Sequence, residues 1–181
     1  MTRIIFILTL ILSTFLSGCT SRAVLNYETV FVPSDSSFTW KRGCFKGEGE
    51  NGSFITYLPP QSTCEHHGEM LTIQFNNFGL PPTRASLSAY FSKRQNYGSN
   101  KECYNFKIIL EDEKNIMWVQ SPKKCSDRQK SYSISKLLLG KDGIHMVEYS
   151  NRDSNLTDKK MKLWENNIKN TYVEKNGQSV Y

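Results

Sequence analysis

Hydrophobic and polar residues alternate along much of this chain. In "LTIQF", residues 71–75, Leu71, Ile73 and Phe75 are set against Thr72 and Gln74, and in "RASLSAYFS", residues 84–92, Ala85, Leu87, Ala89 and Phe91 are set against Arg84 and three serines. Period two predicts half-buried strands. The intervening "NNFGLPP" breaks regular structure with Gly79, Pro81 and Pro82. Three further stretches read as hairpins. "YNFKIIL" and "IMWVQS" flank the polar turn "EDEKN", "SYSISKLLL" and "IHMVEYS" flank Gly140-Lys141-Asp142-Gly143, and Asn176-Gly177 separates two short β-prone runs. Strands at this spacing predict an antiparallel β-sandwich or a small barrel.

One segment has a different period. After Thr157, a candidate N-cap with Asp158 behind it, Met161, Trp164 and Ile168 recur at steps of three and four. That predicts a C-terminal helix with one apolar stripe, expected to pack on its own sheet.

The N-terminus has no alternation at all. Ile4 to Leu16 is apolar on every side, follows Arg3, and ends in small residues, the layout of a secretory signal peptide. The run is shorter than the roughly 20 residues that span a bilayer. Leu16-Ser17-Gly18-Cys19 resembles the lipobox of bacterial lipoproteins at all four positions. The resemblance implies cleavage before Cys19, diacylglycerol on its sulfur and, as a rule, a third acyl chain (palmitate-like) on the new amino group. Two or more chains hold a protein stably on a membrane. Thr20 and Ser21 lack the aspartate that, in enteric members of the family, retains lipoproteins in the inner membrane. The implied location is the cell envelope, at the outer membrane with the domain facing the periplasm. The expected organisation is a signal peptide at 1–18, a lipidated tether at 19–26 and one β-rich domain at 27–181. Thr20 to Asn26 reaches at most about 25 Å.

Export changes the reading of the cysteines. Cys44, Cys64, Cys103 and Cys125 remain beside Cys19, an even number in an exported chain, and they can pair in three ways. Their spacing does not suit zinc. Because each of Cys44/Cys64 and Cys103/Cys125 flanks a hairpin pattern, two disulfides with those pairings are expected to staple the domain.

Without residues 1–18 the chain loses one charge, Arg3, and keeps 22 basic against 17 acidic residues over 163 positions. That length suits a single domain with a real core. Lys123, Lys124, Arg128, Lys130, Lys136 and Lys141 crowd one stretch, facing only Asp127 and Asp142. Such a run is either a solvated face or a surface for an acidic partner. Nucleic acid is a poor fit, since no recognition motif accompanies the charge.

Recognisable catalytic patterns are missing. There is no G-x-S-x-G, no H-E-x-x-H and no nucleophilic-cysteine signature. The glycines of "GEGENG" do not open a helix, as a phosphate-cradling loop would. Carboxylates such as Glu65, Glu69, Glu111, Asp112 and Glu113 define no pair by sequence alone. His66 and His67 beside Cys64 form the densest group of metal-ligand types, but neighbours on an extended chain point apart, so a plain surface loop is expected and no metal or cofactor. The expectation is a protein that is not an enzyme and binds another protein. An inhibitor or immunity lipoprotein that blocks a toxic or lytic enzyme comes first, and a structural lipoprotein of an envelope or secretion apparatus is the alternative. A toxin gene or a secretion operon next door would separate the two. Tyr, Trp and Arg dominate interface anchors, and loops carry them. The candidate contacts are Phe78, Arg94 and Tyr97 in the loops "FGLPPTR" and "SKRQNYGSNK", with Lys123 and Lys124 steering the approach.

Overall fold

In the computed structural model the described residues are 28–33, 40–49, 51–77, 81–96, 103–123, 131–152, 156–175 and 178–179, without the side chains of residues 42, 44, 178 and 179. Ten strands and two helices follow in chain order: β1 (Thr29–Phe31), β2 (Lys41–Gly49), β3 (Gly52–Leu58), β4 (Glu69–Asn76), α1 (Arg84–Asn96), β5 (Tyr104–Glu111), β6 (Asn115–Pro122), β7 (Tyr132–Leu139), β8 (Ile144–Asn151), α2 (Asp158–Lys169), β9 (Tyr172–Lys175) and β10 (Gln178–Ser179). Seven strands form one antiparallel sheet in the order β2-β3-β4-β8-β7-β6-β5, and β1, β9 and β10 form a small second sheet.

The expected sandwich or barrel with one helix is therefore corrected. Among the described residues the sheets are open, no barrel closes, and there are two helices. The segment 84–92, expected as a strand, belongs to α1. Its alternating Leu87 and Phe91 also lie four residues apart, one above the other on a helix face, and both are buried there. A reciprocal cap starts the helix: Ser86 N–H donates to Thr83 Oγ1 at 3.2 Å and Thr83 N–H donates to Ser86 Oγ at 2.7 Å. This is the geometry of a capping box, with serine in the place of the usual Glu or Gln.

Neither expected staple, Cys44–Cys64 or Cys103–Cys125, joins two described side chains. Cys64 and Cys103 are in the disulfide form and do not titrate, but they are not bonded to each other, since no two described cysteine sulfurs come within 4.5 Å. Cys125 and the side chain of Cys44, their expected partners, lie outside the described residues. The ends of the β5–β6 hairpin are closed by the backbone itself, Lys123 N–H donating to Cys103 O at 2.7 Å.

Side chains alternate between the two faces of the large sheet, and each face has its own core. Leu71, Met117, Ile134, Leu138, Val147 and Tyr149 pack under Trp164 and Ile168 of α2 and Val173 of β9. Trp164 stacks on Tyr149 with ring centres 4.4 Å apart, and Trp40 leans on both rings. As expected, Thr157 caps this helix by accepting from Lys160 N–H, and the apolar stripe is core. Lys136 of β7 is buried on the same face, where its Nζ donates to the carbonyls of Lys169 and Thr171 at the helix C-terminus. Burial pulls its ammonium down to about 8, against the opposing pull of Asp112. On the opposite face Leu87 and Phe91 of α1 cover Ile116, Trp118, Leu137, Ile144 and Met146.

The hairpins come out as predicted. Leu139 pairs with Ile144 across Gly140–Gly143, and Lys175 pairs with Gln178 across residues 176–177. At the β2–β3 turn, Gly52 has φ +152°, and a Cβ there would meet the Phe75 carbonyl oxygen at 2.2 Å.

Candidate functional site

Helix α1 is too short for the face it covers. Thirteen residues span about 20 Å, whereas eight-residue strands run about 27 Å. The strands change character where the helix stops. Along β7 the side chains on this face read Ser133 and Ser135, then Leu137; along β8 they read Ile144 and Met146, then Glu148 and Ser150; along β6 Ile116 and Trp118 give way to Gln120. Strand order puts the polar ends side by side, since β8, β7 and β6 are neighbours. No described element covers these polar ends, and Arg94 and Glu148 remain partly exposed there; a sheet face that meets water carries polar side chains.

The result is a cleft of about 240 Å³ beyond the C-terminal end of α1. Trp118, Gln120, Ser131, Ser133, Glu148 and Ser150 line it together with Met70, Phe106, Arg94 and Arg152. Arg94, in the last turn of α1, donates to Glu148 Oε2 at 3.2 Å, and Ser135 Oγ donates to the same oxygen at 2.9 Å. Glu148 thus enters the cleft already engaged by a cation and a hydroxyl. Arg94 also lines a second depression of about 230 Å³ beside the helix, with Gln74, Asn76, Tyr90 and Lys93. There Asn76 Nδ2 donates to the Tyr90 hydroxyl at 3.2 Å, and burial is the main influence raising the Tyr90 pKa.

The other carboxylate with an unusual setting lies on the opposite face. Glu28, just before β1, is 3 % exposed and His145 of β8 is 1 % exposed, with Nε2 3.3 Å from Glu28 Oε2. The N–H groups of Lys141 and Asp142 donate to the same carboxylate at 2.8 and 3.1 Å. Burial raises the carboxyl pKa, but the hydrogen bonds from His145 and the two backbone N–H groups outweigh it and hold the value at about 2. Gly140 permits this approach, since a Cβ there would sit 2.1 Å from Glu28 Oε2. Closed off and fully hydrogen-bonded, the pair clasps the start of the domain to the β7–β8 turn.

Of the sequence candidates, Arg94 lines the cleft and Lys123 is exposed just past the end of β6. Cys19, Phe78, Tyr97 and Lys124 lie outside the described residues. The basic stretch is not a single surface, because Lys136 is buried as a helix cap. His67 Nδ1 lies 3.1 Å from Cys64 O and its ring meets Phe45 edge-on. Among the described residues no group of three His, Cys, Asp or Glu side chains converges on a metal position, and no helix is long and apolar enough to cross a membrane. Sequence reasoning missed Arg152, Glu148, Gln120 and the serines of the cleft. The change from serine to leucine along "SYSISKLLL" was their one visible signal.

The chain matches no known protein-family model and is not similar to any curated protein.

Proposed function

We propose that the protein is a lipid-anchored envelope lipoprotein whose domain binds and blocks another protein, as an inhibitor or immunity protein acting on a toxic or lytic enzyme. The anchor reading rests on Leu16-Ser17-Gly18-Cys19. The binding reading rests on the half-open sheet face. Its cleft, at about 240 Å³, falls below the roughly 300–1,000 Å³ of small-molecule sites but suits a side chain inserted from a partner. The floor is a rigid strand ladder, so little conformational freedom is lost on binding. Lys123, exposed nearby in sequence to the cleft strands, adds positive charge that speeds encounter with an acidic partner.

The test is made on the full chain in its host envelope. One protein should co-purify with it in a fixed ratio, and Cys19→Ser should abolish acyl labelling and release the chain from the membrane fraction. Reversing the charge at Lys123 should slow association more than it speeds dissociation. Recovery instead as a fixed component of a large envelope assembly contradicts the inhibitor reading, and turnover of a lipid, glycan or peptide by the purified chain contradicts protein binding as its activity.

A further inference from the structure

We infer that the cleft beyond α1 receives a carboxylate-bearing side chain, Asp or Glu, of the partner protein; this rests on the protein-binding reading above and gives that partner's contact its chemistry. Two guanidinium groups line the cleft from separate elements, Arg94 from the helix and Arg152 from the chain just past β8. Among the described lining residues the one carboxylate, Glu148, is held by Arg94 and Ser135. The described lining therefore carries one net positive charge. An arginine has five N–H donors in a planar fork, so Arg94 can keep Glu148 and still offer donors to a second carboxylate. The Gln120 amide, the Ser133 hydroxyl and the Arg152 guanidinium make no hydrogen bond to another described side chain, which leaves their donors for an incoming group.

The same geometry selects among anions. The net positive charge attracts a dianion about twice as strongly as a monoanion, but the cost of stripping water from an ion grows as the square of its charge, about fourfold. A carboxylate therefore fits the cleft better than a phosphate dianion. Size then favours an attached side chain over a free acid. A cleft of about 240 Å³ encloses too little surface to hold a small molecule tightly, whereas a side chain enters it as part of an interface of about 1,600 Å².

The test uses the full chain in detergent micelles, with the arginine Nε–Hε signals observed by nuclear magnetic resonance. The probe is N-acetyl-glutamate N-methylamide, titrated beside its neutral glutamine counterpart and beside inorganic phosphate. The glutamate probe should shift the Arg94 and Arg152 signals, and the glutamine probe should not. Arg152→Gln should weaken glutamate binding about tenfold, the loss of one charge-assisted hydrogen bond, while its backbone amide signals elsewhere stay in place. Equal shifts with both amino-acid probes, tighter binding of phosphate than of glutamate, or no effect of Arg152→Gln would each overturn the inference. A partner that co-purifies equally with the Arg152→Gln chain would overturn it too while leaving the protein-binding reading intact.

Discussion

Two carboxylates, Glu28 and Glu148, sit on opposite faces of one sheet and are treated in opposite ways. Glu28 is sealed between β1, the β7–β8 turn and β8, and three donors converge on it. Glu148 stands in a water-facing cleft and shares its charge with a helix-borne arginine. The same contrast runs through the faces that hold them. Under α2 and the small sheet, aromatic rings stack and even a lysine is consumed as a helix cap. Under α1 the apolar packing stops partway, and serines, an amide and arginines take over. A closed face is committed to stability, and a half-open face can be spent on recognition.

That contrast is broken first by mutating its two sides. Trp164→Ala removes the indole stacked on Tyr149 and should cost about 3–5 kcal/mol, whereas Gln120→Ala in the open half should cost under about 0.5 kcal/mol. Denaturant midpoints for the two variants measure the difference, and a large loss at Gln120 would mean that the open half is structural after all.

Acid should sharpen it further. The Glu28 carboxyl is held at about 2, below its ordinary 4.5, so the folded state binds that proton less tightly than the unfolded chain. The stabilisation is complete above about pH 4.5 and is lost as pH falls from there toward 2, by an amount on the order of 3 kcal/mol. Glu28→Gln should remove that part of the acid limb in a pH series of unfolding curves. Glu148→Gln should leave the limb in place, since Glu148 lies on the opposite face of the sheet from the Glu28 clasp.

The closed face was largely legible in the chain, and the open one was not. Thr157, Met161, Trp164 and Ile168 announce α2 because a cap and a stripe are local signals. The hairpins at Gly140–Gly143 and Asn176-Gly177 are local too. Helix α1 was misread because Ala85, Leu87, Ala89 and Phe91 satisfy period two by coincidence, and only the Thr83–Ser86 box and the four-residue step from Leu87 to Phe91 speak for a helix. The clasp could not be foreseen, since Glu28 and His145 are 117 residues apart. Nor could the cleft, which exists only once strand order sets β4 and β8 beside β7 and β6 and the helix ends short of their polar tips.

The central claim, that recognition belongs to the half-open face, is tested most directly by placing a photoreactive residue at Ser150, inside the cleft, or at Leu163, exposed on the outer side of α2, and irradiating intact cells. Position 150 should give one cross-linked protein, joined through a segment containing Asp or Glu, and position 163 no such adduct. Adducts to the same protein from both positions, or from position 163 alone, would contradict the claim.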